Sequence, residues 1–407
     1  MFFGDPCYVL SMTRSSWSLL ALALVVWPGA APAPASAQEP KSFWEEHKLF
    51  SYIENSATFN LTGSGRGGVN ELRVYDDHEG YTFNVAEWSL KKDPSERYPF
   101  GYSLVLTAGI DSQKNHSIGI FRDEDDAFPF RNTAKFDLQE AYVSGLVALG
   151  SGLSVKGGKF VSLLGYEVVE SPNNLNFSRG YLFSLATPLA HTGGLLSYTL
   201  TEWLSVAAGA VLGWDDAKNV NGRPSYTGQF AFTPLKDLAA SLNWIVGPEQ
   251  IDNDSHQRYV LDGVLGYTGF KSWTLALNVD YGREDKDTFI TSLGTRKNTD
   301  ATWWGWAAHA AYDWTDKLRT SLRQEFFRDA DGARTGFGSA LDLWSTTATI
   351  QYKIWKGLVG RLEYRHDAAD ERAFQVRYSR PDRTADGLLP RSRSLDTISI
   401  SVYYLFF

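Results

Sequence analysis

Cysteine is almost missing from this sequence, and the single one, Cys7, lies near its beginning. The rest of the chain therefore offers no disulfide pair, no thiolate metal cluster and no C-x-x-C-H motif for a c-type haem. No stretch reaches the ~18–20 consecutive apolar residues that a membrane-spanning helix needs. A formal net charge of −8 argues against nucleic-acid binding. We expect no cofactor and no bound metal.

Aromatic residues, in contrast, are abundant. They make up 14% of the chain, with 14 Trp and 20 Tyr, although the mean hydropathy is polar at −0.27. In a membrane β-barrel only every second residue faces lipid, so the average stays polar. A polar composition therefore leaves a membrane protein of the β class open.

The first residues have the order of a secretory signal: a basic residue, an apolar run and a small-residue end, namely Arg14, residues 17–27, and Ala35, Ser36 and Ala37. This order predicts a signal peptide over residues 1–37, cleaved between Ala37 and Gln38. The other interpretation, a buried N-terminal helix, leaves the small-residue end unexplained. The start codon is Met1 or Met12. Export combined with a barrel indicates a Gram-negative envelope.

About sixteen short segments alternate apolar and polar residues, which is the pattern of strands with one apolar face. In residues 271–283 the apolar face comprises Trp273, Leu275, Leu277, Val279 and Tyr281. In the last segment it comprises Ile398, Ile400, Val402, Tyr404 and Phe406.

Short and long connections alternate between these segments. The short ones are 149–151, 201–202, 234–236, 269–270, 314–316 and 355–356; the long ones are 63–80, 111–134, 162–190, 215–224, 247–256, 284–300, 330–341 and 369–393. Short periplasmic turns and long extracellular loops are typical of outer-membrane barrels. We predict an all-β fold: a transmembrane antiparallel up-and-down β-barrel of about sixteen strands. Residues 38–48 would form a short periplasmic segment and 49–407 the barrel.

Aromatic residues near strand ends predict interfacial girdles: Trp203, Trp214, Trp273, Tyr281, Trp314, Trp344 and Trp355. The terminal Phe407 resembles the signal that outer-membrane assembly machinery reads. The aliphatic set of the last strand is offset from it by one residue.

Several local stretches resemble the OmpL-like β-barrel porins of Gram-negative outer membranes. They are Asn70 to Asp76 with Phe83 and Glu87, Phe136 to Val143, Gly158 to Phe160 with Gly165 to Glu167 and Glu170, Asn174 with Asn176 to Arg179, Tyr281 to Glu284, and Arg361 to Asp367. They are spread over most of the mature chain. The resemblance implies an outer-membrane barrel and a porin role, with the solute undefined.

Two segments place charge where a barrel lumen would be. If Leu318, Leu322 and Phe326 face lipid, then Arg319, Arg323 and Glu325 face inward. The same alternation turns Arg361, Glu363, Arg365 and Asp367 inward. An arginine facing hydrocarbon would cost ~2–4 kcal/mol, which favours this orientation. The resulting charge ladder is an ion-selectivity strip or a set of cross-strand ion pairs that stiffens the barrel.

The third long connection, 162–190, is too apolar for an exposed loop. By analogy with sixteen-stranded porins, we expect it to fold into the barrel, with Glu167, Glu170 and Arg179 near a constriction. The alternative is that it packs on neighbouring loops or plugs the barrel. Asp123 to Asp126 form an acidic run in the preceding connection. Without the turn glycine and distant Glu of an EF-hand, a solvated loop is favoured over a calcium site.

The predicted function is an outer-membrane porin that forms a water-filled channel for small hydrophilic solutes or ions. The alternatives are a barrel that sheathes a partner, such as a multihaem cytochrome, or an outer-membrane enzyme. Expected partners are outer-membrane lipid and lipopolysaccharide, the barrel assembly machinery and small solutes. A homo-oligomer and either sign of ion selectivity remain open.

Overall fold

The computed structural model describes residues 43–62, 70–76, 79–122, 134–290, 296–375 and 391–406. The predicted signal peptide with Ala37 and Gln38, the acidic run from Asp123 to Asp126, and Phe407 lie outside the described residues. What the sequence indicates about them stays a prediction.

Sixteen antiparallel strands form a closed barrel. In chain order the strands of the structure are β1 (His47–Asn60), β2 (Gly80–Lys92), β3 (Phe100–Ala108), β4 (Phe136–Val147), β5 (Leu153–Val161), β6 (Ala190–Thr201), β7 (Leu204–Val211), β8 (Ser225–Leu235), β9 (Leu238–Gln250), β10 (Asn253–Tyr267), β11 (Trp273–Ile290), β12 (Arg296–Asp313), β13 (Leu318–Asp329), β14 (Leu341–Trp355), β15 (Leu358–Ala369), β16 (Phe374–Gln375), β17 (Arg391–Ser392) and β18 (Ser394–Leu405). β16 and β17 form a separate ribbon, and β18 closes the barrel by pairing with β1 and β15. The predicted fold class and strand number are confirmed.

Within the residues that the structure describes, helical structure is limited to single turns. They are 3₁₀ turns at Phe43–Glu46, Asp111–Lys114 and Ser171–Asn173 and a π-helical turn at Leu182–Ala186. In the described part of the chain, no helix is long and apolar enough to cross a membrane.

The strands form because their side chains alternate between two different surroundings. On β13, Leu322 is 48% exposed on the outer face while its neighbour Arg323 is fully buried on the inner face. On β15, Leu362 and Arg361 repeat the contrast. Large apolar side chains on an outer surface are stable when lipid covers them. The alternation therefore fixes which face of every strand meets the membrane.

Two predicted loop bounds were wrong. The expected long loop at 247–256 is a tight turn, because β9 continues to Gln250 and β10 begins at Asn253. Likewise, β11 and β12 extend to Ile290 and from Arg296, into the loop predicted at 284–300. These strand ends are mostly polar in sequence, so they lack the apolar alternation that would have predicted strands there.

Most members of the predicted girdle lie on the outer face of the barrel, but the prediction is wrong for Trp214. Trp203, Trp273, Trp314, Trp344 and Trp355 are exposed on the outside of the barrel. Trp214 instead packs against the apolar cluster of the interior. The guanidinium groups of Arg258 and Arg334 lie 4.8 and 4.6 Å from the centre of its ring. Such cation–π contacts stabilise an aromatic ring inside the barrel, in addition to its apolar packing.

An apolar cluster fills part of the barrel interior. It combines inward residues of many strands with residues of the 162–189 connection: Phe160, Leu195, Val211, Ile245, Val260, Trp303, Phe327, Leu343 and Leu395 from the strands, and Leu164, Tyr181, Leu182, Leu185 and Ala186 from the connection. The third long connection therefore belongs to the core of the molecule.

Candidate pore site and the segment that crosses it

Residues 162–189, which we call the crossing segment, contact inward side chains from widely separated strands. The Ser171 amide donates to the Tyr52 hydroxyl on β1 at 3.3 Å. Gln139 on β4 donates to Glu170 at 2.9 Å, and the Tyr166 amide donates to Asn278 on β11 at 3.1 Å. The segment thus spans the interior from one wall to the other.

Three arginines of the predicted ladder donate to backbone carbonyls of the crossing segment. Arg323 reaches the Ser178 carbonyl at 2.6 Å, and Arg365 reaches the Arg179 carbonyl at 2.7 Å. Arg361 reaches the carbonyls of Ser171 and Asn174, both at 3.1 Å. All three arginines are buried.

The acidic members of the ladder accept from backbone amides of the same segment. The two oxygens of Glu363 accept from the amides of Phe177 and Ser178 at 2.7 and 3.0 Å. Glu325 accepts from the Tyr181 amide at 2.7 Å. Both the arginines and the glutamates of the ladder therefore bind the crossing segment.

This arrangement follows from the backbone of the crossing segment. Between Asn174 and Gly180 the segment has no regular secondary structure, so its amides and carbonyls lack strand partners. Buried backbone groups must be hydrogen-bonded, and bonds to charged groups are about twice as strong as neutral ones. Alternating arginine and glutamate on the wall supply both kinds of partner.

Arg319 is the exception among the ladder residues. It forms two bonds with Asp313 on β12, at 2.7 and 2.8 Å, near the 314–317 turn. This pair lies at the periplasmic end of the wall.

The predicted constriction residues Glu167, Glu170 and Arg179 all lie in the crossing segment. Glu167 pairs with Arg323 at 2.6 Å and accepts from the Gly180 amide at 2.7 Å. Burial raises the pKa of Glu167, but the Arg323, His309 and Arg179 charges and the Gly180 amide together hold it below its ordinary value. Burial raises the pKa of Glu170 above its ordinary value, although the Lys91 and Arg179 charges oppose this. The two carboxyl groups of one segment are therefore shifted in opposite directions by their surroundings.

Arg179 bonds to carbonyls of its own segment. Its guanidinium donates to Val168, Phe177 and Val169 at 2.9, 2.6 and 2.6 Å. The same group lies 5.1 Å from the centre of the Tyr75 ring. Arg179 therefore stabilises the conformation of the crossing segment through bonds within that segment.

Gly180 is required where the segment meets the wall. A Cβ atom at this position would lie 2.4 Å from a Glu325 oxygen and 2.8 Å from a Glu167 oxygen. Both carboxylates are held by hydrogen bonds, so neither can move away freely. Only glycine allows this close approach.

Residues 70–76, which we call the first inward segment, were missed as site residues. Arg73 pairs with Asp367 on β15 at 2.5 Å and with Asp76 at 2.8 Å. Asn70 donates to Asp367 and to Tyr181 of the crossing segment, both at 3.2 Å. The sequence feature that could have identified this segment is its apolar content: Leu72, Val74 and Tyr75 are all buried.

Charged residues cluster where the two inward segments meet each other and the wall. The set comprises five arginines and five carboxylates: Arg73, Arg179, Arg323, Arg361 and Arg365, with Asp76, Glu167, Glu325, Glu363 and Asp367. We call this set the docking network. It is formally neutral and enclosed by protein.

The opposite wall, formed by β5 to β8, is different. Its inward residues include partly exposed small or neutral side chains: Ser154, Ser197, Thr199, Ser205, Gln229 and Thr233. Lys156 lies among them and also keeps part of its surface exposed. This wall has more room for water than the wall beneath the docking network. Among the described residues, no three His, Cys, Asp or Glu side chains are arranged to hold a metal ion.

A closed sixteen-stranded barrel with a lipid-facing exterior and a polar, charged interior defines an outer-membrane barrel of the porin type. The family described as "Putative beta-barrel porin-2, OmpL-like" matches residues 51–406, and the chain belongs to this family. The protein is therefore located in the bacterial outer membrane.

Solved structures with the same fold include three outer-membrane proteins at low sequence identity. The outer-membrane channel DcaP of Acinetobacter baumannii is 11% identical, with a TM-score of 0.56 over 88% of this chain and 97% of its own. An anion-selective porin from Comamonas acidovorans is 10% identical, with 0.54 over 88% and 99%. The trimer form of Vibrio cholerae OmpT is 9% identical, with 0.51 over 88% and 99%. These likenesses concern the fold alone. No curated protein matches the sequence.

Proposed function

We propose that the protein is a porin that lets small hydrophilic solutes or ions diffuse passively through a water-filled channel. The observation that carries the proposal is the sixteen-stranded closed barrel of a porin family, with polar residues lining its inner face. Barrels of this size have an interior wide enough for an aqueous channel. Channel and porin structures are among the proteins of the same fold.

The crossing segment narrows this channel in our proposal. Its contacts with β1, β4, β11, β13 and β15 support this, because each contact takes up interior space. Glu167, Glu170 and Arg179 then act by holding the narrowing segment in place, since their bonds are made within the protein.

The proposed partners follow from the location. The outward apolar residues would contact lipid and lipopolysaccharide, and the barrel assembly machinery would insert the chain. A homo-oligomer is also proposed, since one protein of this fold is described as a trimer. The solute is small because the interior is partly filled by the chain itself.

The two alternatives receive less support. A sheath around a cytochrome needs an empty interior, whereas the crossing segment and the first inward segment occupy much of it. A hydrolase of the serine type needs a nucleophile beside a histidine whose ring a third group orients. Ser162 and His191 are hydrogen-bonded at 3.3 Å, but His191 is fully buried and its other ring nitrogen meets the Gly213 carbonyl at 3.0 Å rather than a carboxylate. We therefore propose a non-enzymatic role.

Planar-bilayer recording of the refolded chain from residue 38 onward tests the proposal. We expect steady single-channel conductance that rises with salt concentration. A correctly folded barrel, judged by its resistance to heat and detergent, that gives no conductance at any voltage would refute the porin function. Flux of small sugars into liposomes provides a second readout for uncharged solutes.

A further inference from the structure

Two aspartates face each other on neighbouring strands of the inner wall. Asp262 on β10 and Asp280 on β11 are direct cross-strand partners in this antiparallel pair of strands. Both side chains are fully buried, and their carboxyl groups lie within hydrogen-bonding reach of each other. Like charges placed directly opposite in a sheet repel each other. The pair therefore needs an occupant that removes or balances one of its charges.

Asp262 has amide donors on both of its sides. Its two oxygens accept from the Asn278 amide group at 2.6 Å and from the amide group of Asn243 on β9. These bonds suit an ionised carboxylate, because such a group only accepts hydrogen bonds. Asp262 is therefore well placed to carry the negative charge of the pair.

Asp280 differs from its partner, because no donor among the described residues reaches either of its oxygens. A buried carboxylate without hydrogen bonds is strongly unfavourable, and such a group takes up a proton instead. A protonated Asp280 becomes a donor, and the neighbouring Asp262 can accept its hydrogen. One proton therefore removes the repulsion and provides the missing hydrogen bond.

The neighbouring strands place no opposite charge beside the pair in the part of the barrel that the structure describes. β9 has Asn243 next to it, and β12 has Gly305. Along β10 and β11, the nearest charged inward residues are Arg258 and Glu284, four positions away. These two residues pair with each other at 2.6 Å, so neither balances the aspartates.

The crossing segment and β12 add two titratable groups in this region, Tyr166 and His309. Their ring centres lie 4.7 Å apart. The charges that act on His309 are those of Glu167 and Arg323, which pair with each other at 2.6 Å. The aspartate pair is therefore left to share its own charge.

A metal ion is the other occupant that could balance two carboxylates. Calcium takes about six to eight oxygen ligands. The amide oxygens beside the pair already accept hydrogen bonds: Asn243 accepts from Gln229 at 2.8 Å, and Asn278 accepts from the Tyr166 amide at 3.1 Å. A proton fits this set of groups better than a metal ion, because it needs only one donor and one acceptor.

Asn278 connects the pair to the crossing segment. Its amide group donates to Asp262, while its oxygen accepts from the Tyr166 amide. A second negative charge, at Asp280, would attract the same amide group and draw water to the pair. The bond to Tyr166 would then lose its fixed acceptor.

We propose that Asp262 and Asp280 bind one shared proton and that this proton keeps the crossing segment attached to the β10–β11 wall. Loss of the proton at alkaline pH releases the segment around Tyr166 and widens the channel. The attached state holds a proton that the released state gives up, so attachment weakens as the pH rises. The proton site stands on the geometry of the pair, whereas the widening rests on the porin function proposed above.

Infrared spectroscopy of the folded chain detects the proton directly, because carboxylic acids and carboxylates absorb at different frequencies. At neutral pH we expect Asp280→Asn to lose one carboxylic acid band. The control is Asp313→Asn, which removes a carboxylate that accepts two bonds from Arg319 and should lose carboxylate bands only. Elemental analysis of the same samples measures any bound metal ion.

Hydrogen exchange and single-channel conductance, measured from about pH 6 to 10, test the attachment. In the unmodified chain we expect the protection factor of the Tyr166 amide to fall by about tenfold or more as the acid band disappears. Conductance should rise over the same range. Asp280→Asn cannot ionise and can still donate to Asp262, so its protection and conductance should keep their neutral-pH values. Resistance to heat and detergent checks that the barrel stays folded.

The outcomes separate the two proposals. If Asp280→Asn loses no acid band, the proton site is wrong; a metal ion that this variant fails to bind would assign the pair to a cation instead. An acid band that titrates away while Tyr166 keeps its protection overturns the role in attachment. Absence of conductance at every pH refutes the porin function, and the infrared and exchange results still decide the proton site.

Discussion

The two inner walls of this barrel differ in what their charges do. The β13–β15 wall carries many charged residues, and five of them, Arg323, Glu325, Arg361, Glu363 and Arg365, are buried and bonded to the crossing segment. The β5–β8 wall carries few, and several of its polar residues are partly exposed. Dense charge in a strand sequence is usually interpreted as a pore lining. Here the dense charge marks the place where an irregular segment needs partners for its backbone.

The difference is energetic in origin. A buried backbone amide or carbonyl without a hydrogen-bond partner costs ~1–3 kcal/mol. The crossing segment has several amides and carbonyls that no strand pairs with, so other groups must bind them. Arginine and glutamate satisfy these groups over a range of geometries, because guanidinium has five donors and carboxylate two acceptor oxygens. The short neutral side chains on the β5–β8 wall provide fewer donors and acceptors, and they leave more of the interior unfilled.

The largest expected effect comes from removing a charge of the docking network. Arg365→Met would leave Asp367 with one fewer partner and remove the donor to the Arg179 carbonyl. Breaking a buried pair costs about 3–5 kcal/mol, so the crossing segment should detach while the barrel stays folded. We expect loss of hydrogen-exchange protection in residues 171–181 and a larger channel conductance. Leu362→Met, outward on the same strand, is the control.

The next effect concerns pH. Burial raises the pKa of Asp76 to about 6, although the Arg73 and Arg365 charges oppose this and Glu363 and Asp367 add to it. The docked first inward segment therefore holds a proton between pH ~3.8 and about 6 that the released segment has lost. Docking should weaken by up to about 3 kcal/mol as pH rises through this range and change little above it.

Hydrogen-exchange protection factors of residues 70–76, measured from pH 4 to 7, check this expectation. Asp76→Asn keeps the shape of the side chain and tolerates the positive φ of 50° at this position. It should remove the pH dependence. A wild-type profile that is flat over this range would rule out Asp76 as the titrating group.

A smaller effect is expected from Gly180→Ala. The added methyl group would press on the Glu325 and Glu167 carboxylates, and overpacking of this kind costs about 1–3 kcal/mol. We expect faster proteolysis within the crossing segment. The matched control is Gly157→Ala on β5, where an added Cβ meets no atom within 4 Å. Equal proteolysis of the two variants would contradict the close fit at Gly180.

The smallest effect is expected at Trp214. Replacing it with leucine removes two cation–π contacts, which are worth about 1 kcal/mol together when partly exposed. A double-mutant cycle of Trp214→Leu with Arg334→Met, read from urea unfolding, measures the coupling between the two side chains. Additive effects would show that the stacked arrangement contributes nothing beyond packing.

Particular residues show how much of the structure could be predicted from the sequence. Leu322 and Arg323 could be assigned to opposite faces of β13, because alternation depends only on neighbours in the chain. The turn at 251–252 could not be found, since the strand ends beside it lack apolar residues. Glu167 and Arg323 could each be singled out, but their 2.6 Å pairing joins residues more than 150 positions apart.

The sequence by itself determined the barrel: the strand number, the outward apolar faces and the wall on which the charged ladder lies. Each of these follows from a period of two residues and from where turns interrupt it. The tertiary structure alone decided that the ladder is covered by the crossing segment, that residues 70–76 join it, and that the partly exposed interior lies along β5 to β8. Those features depend on contacts between distant parts of the chain, which no local pattern encodes.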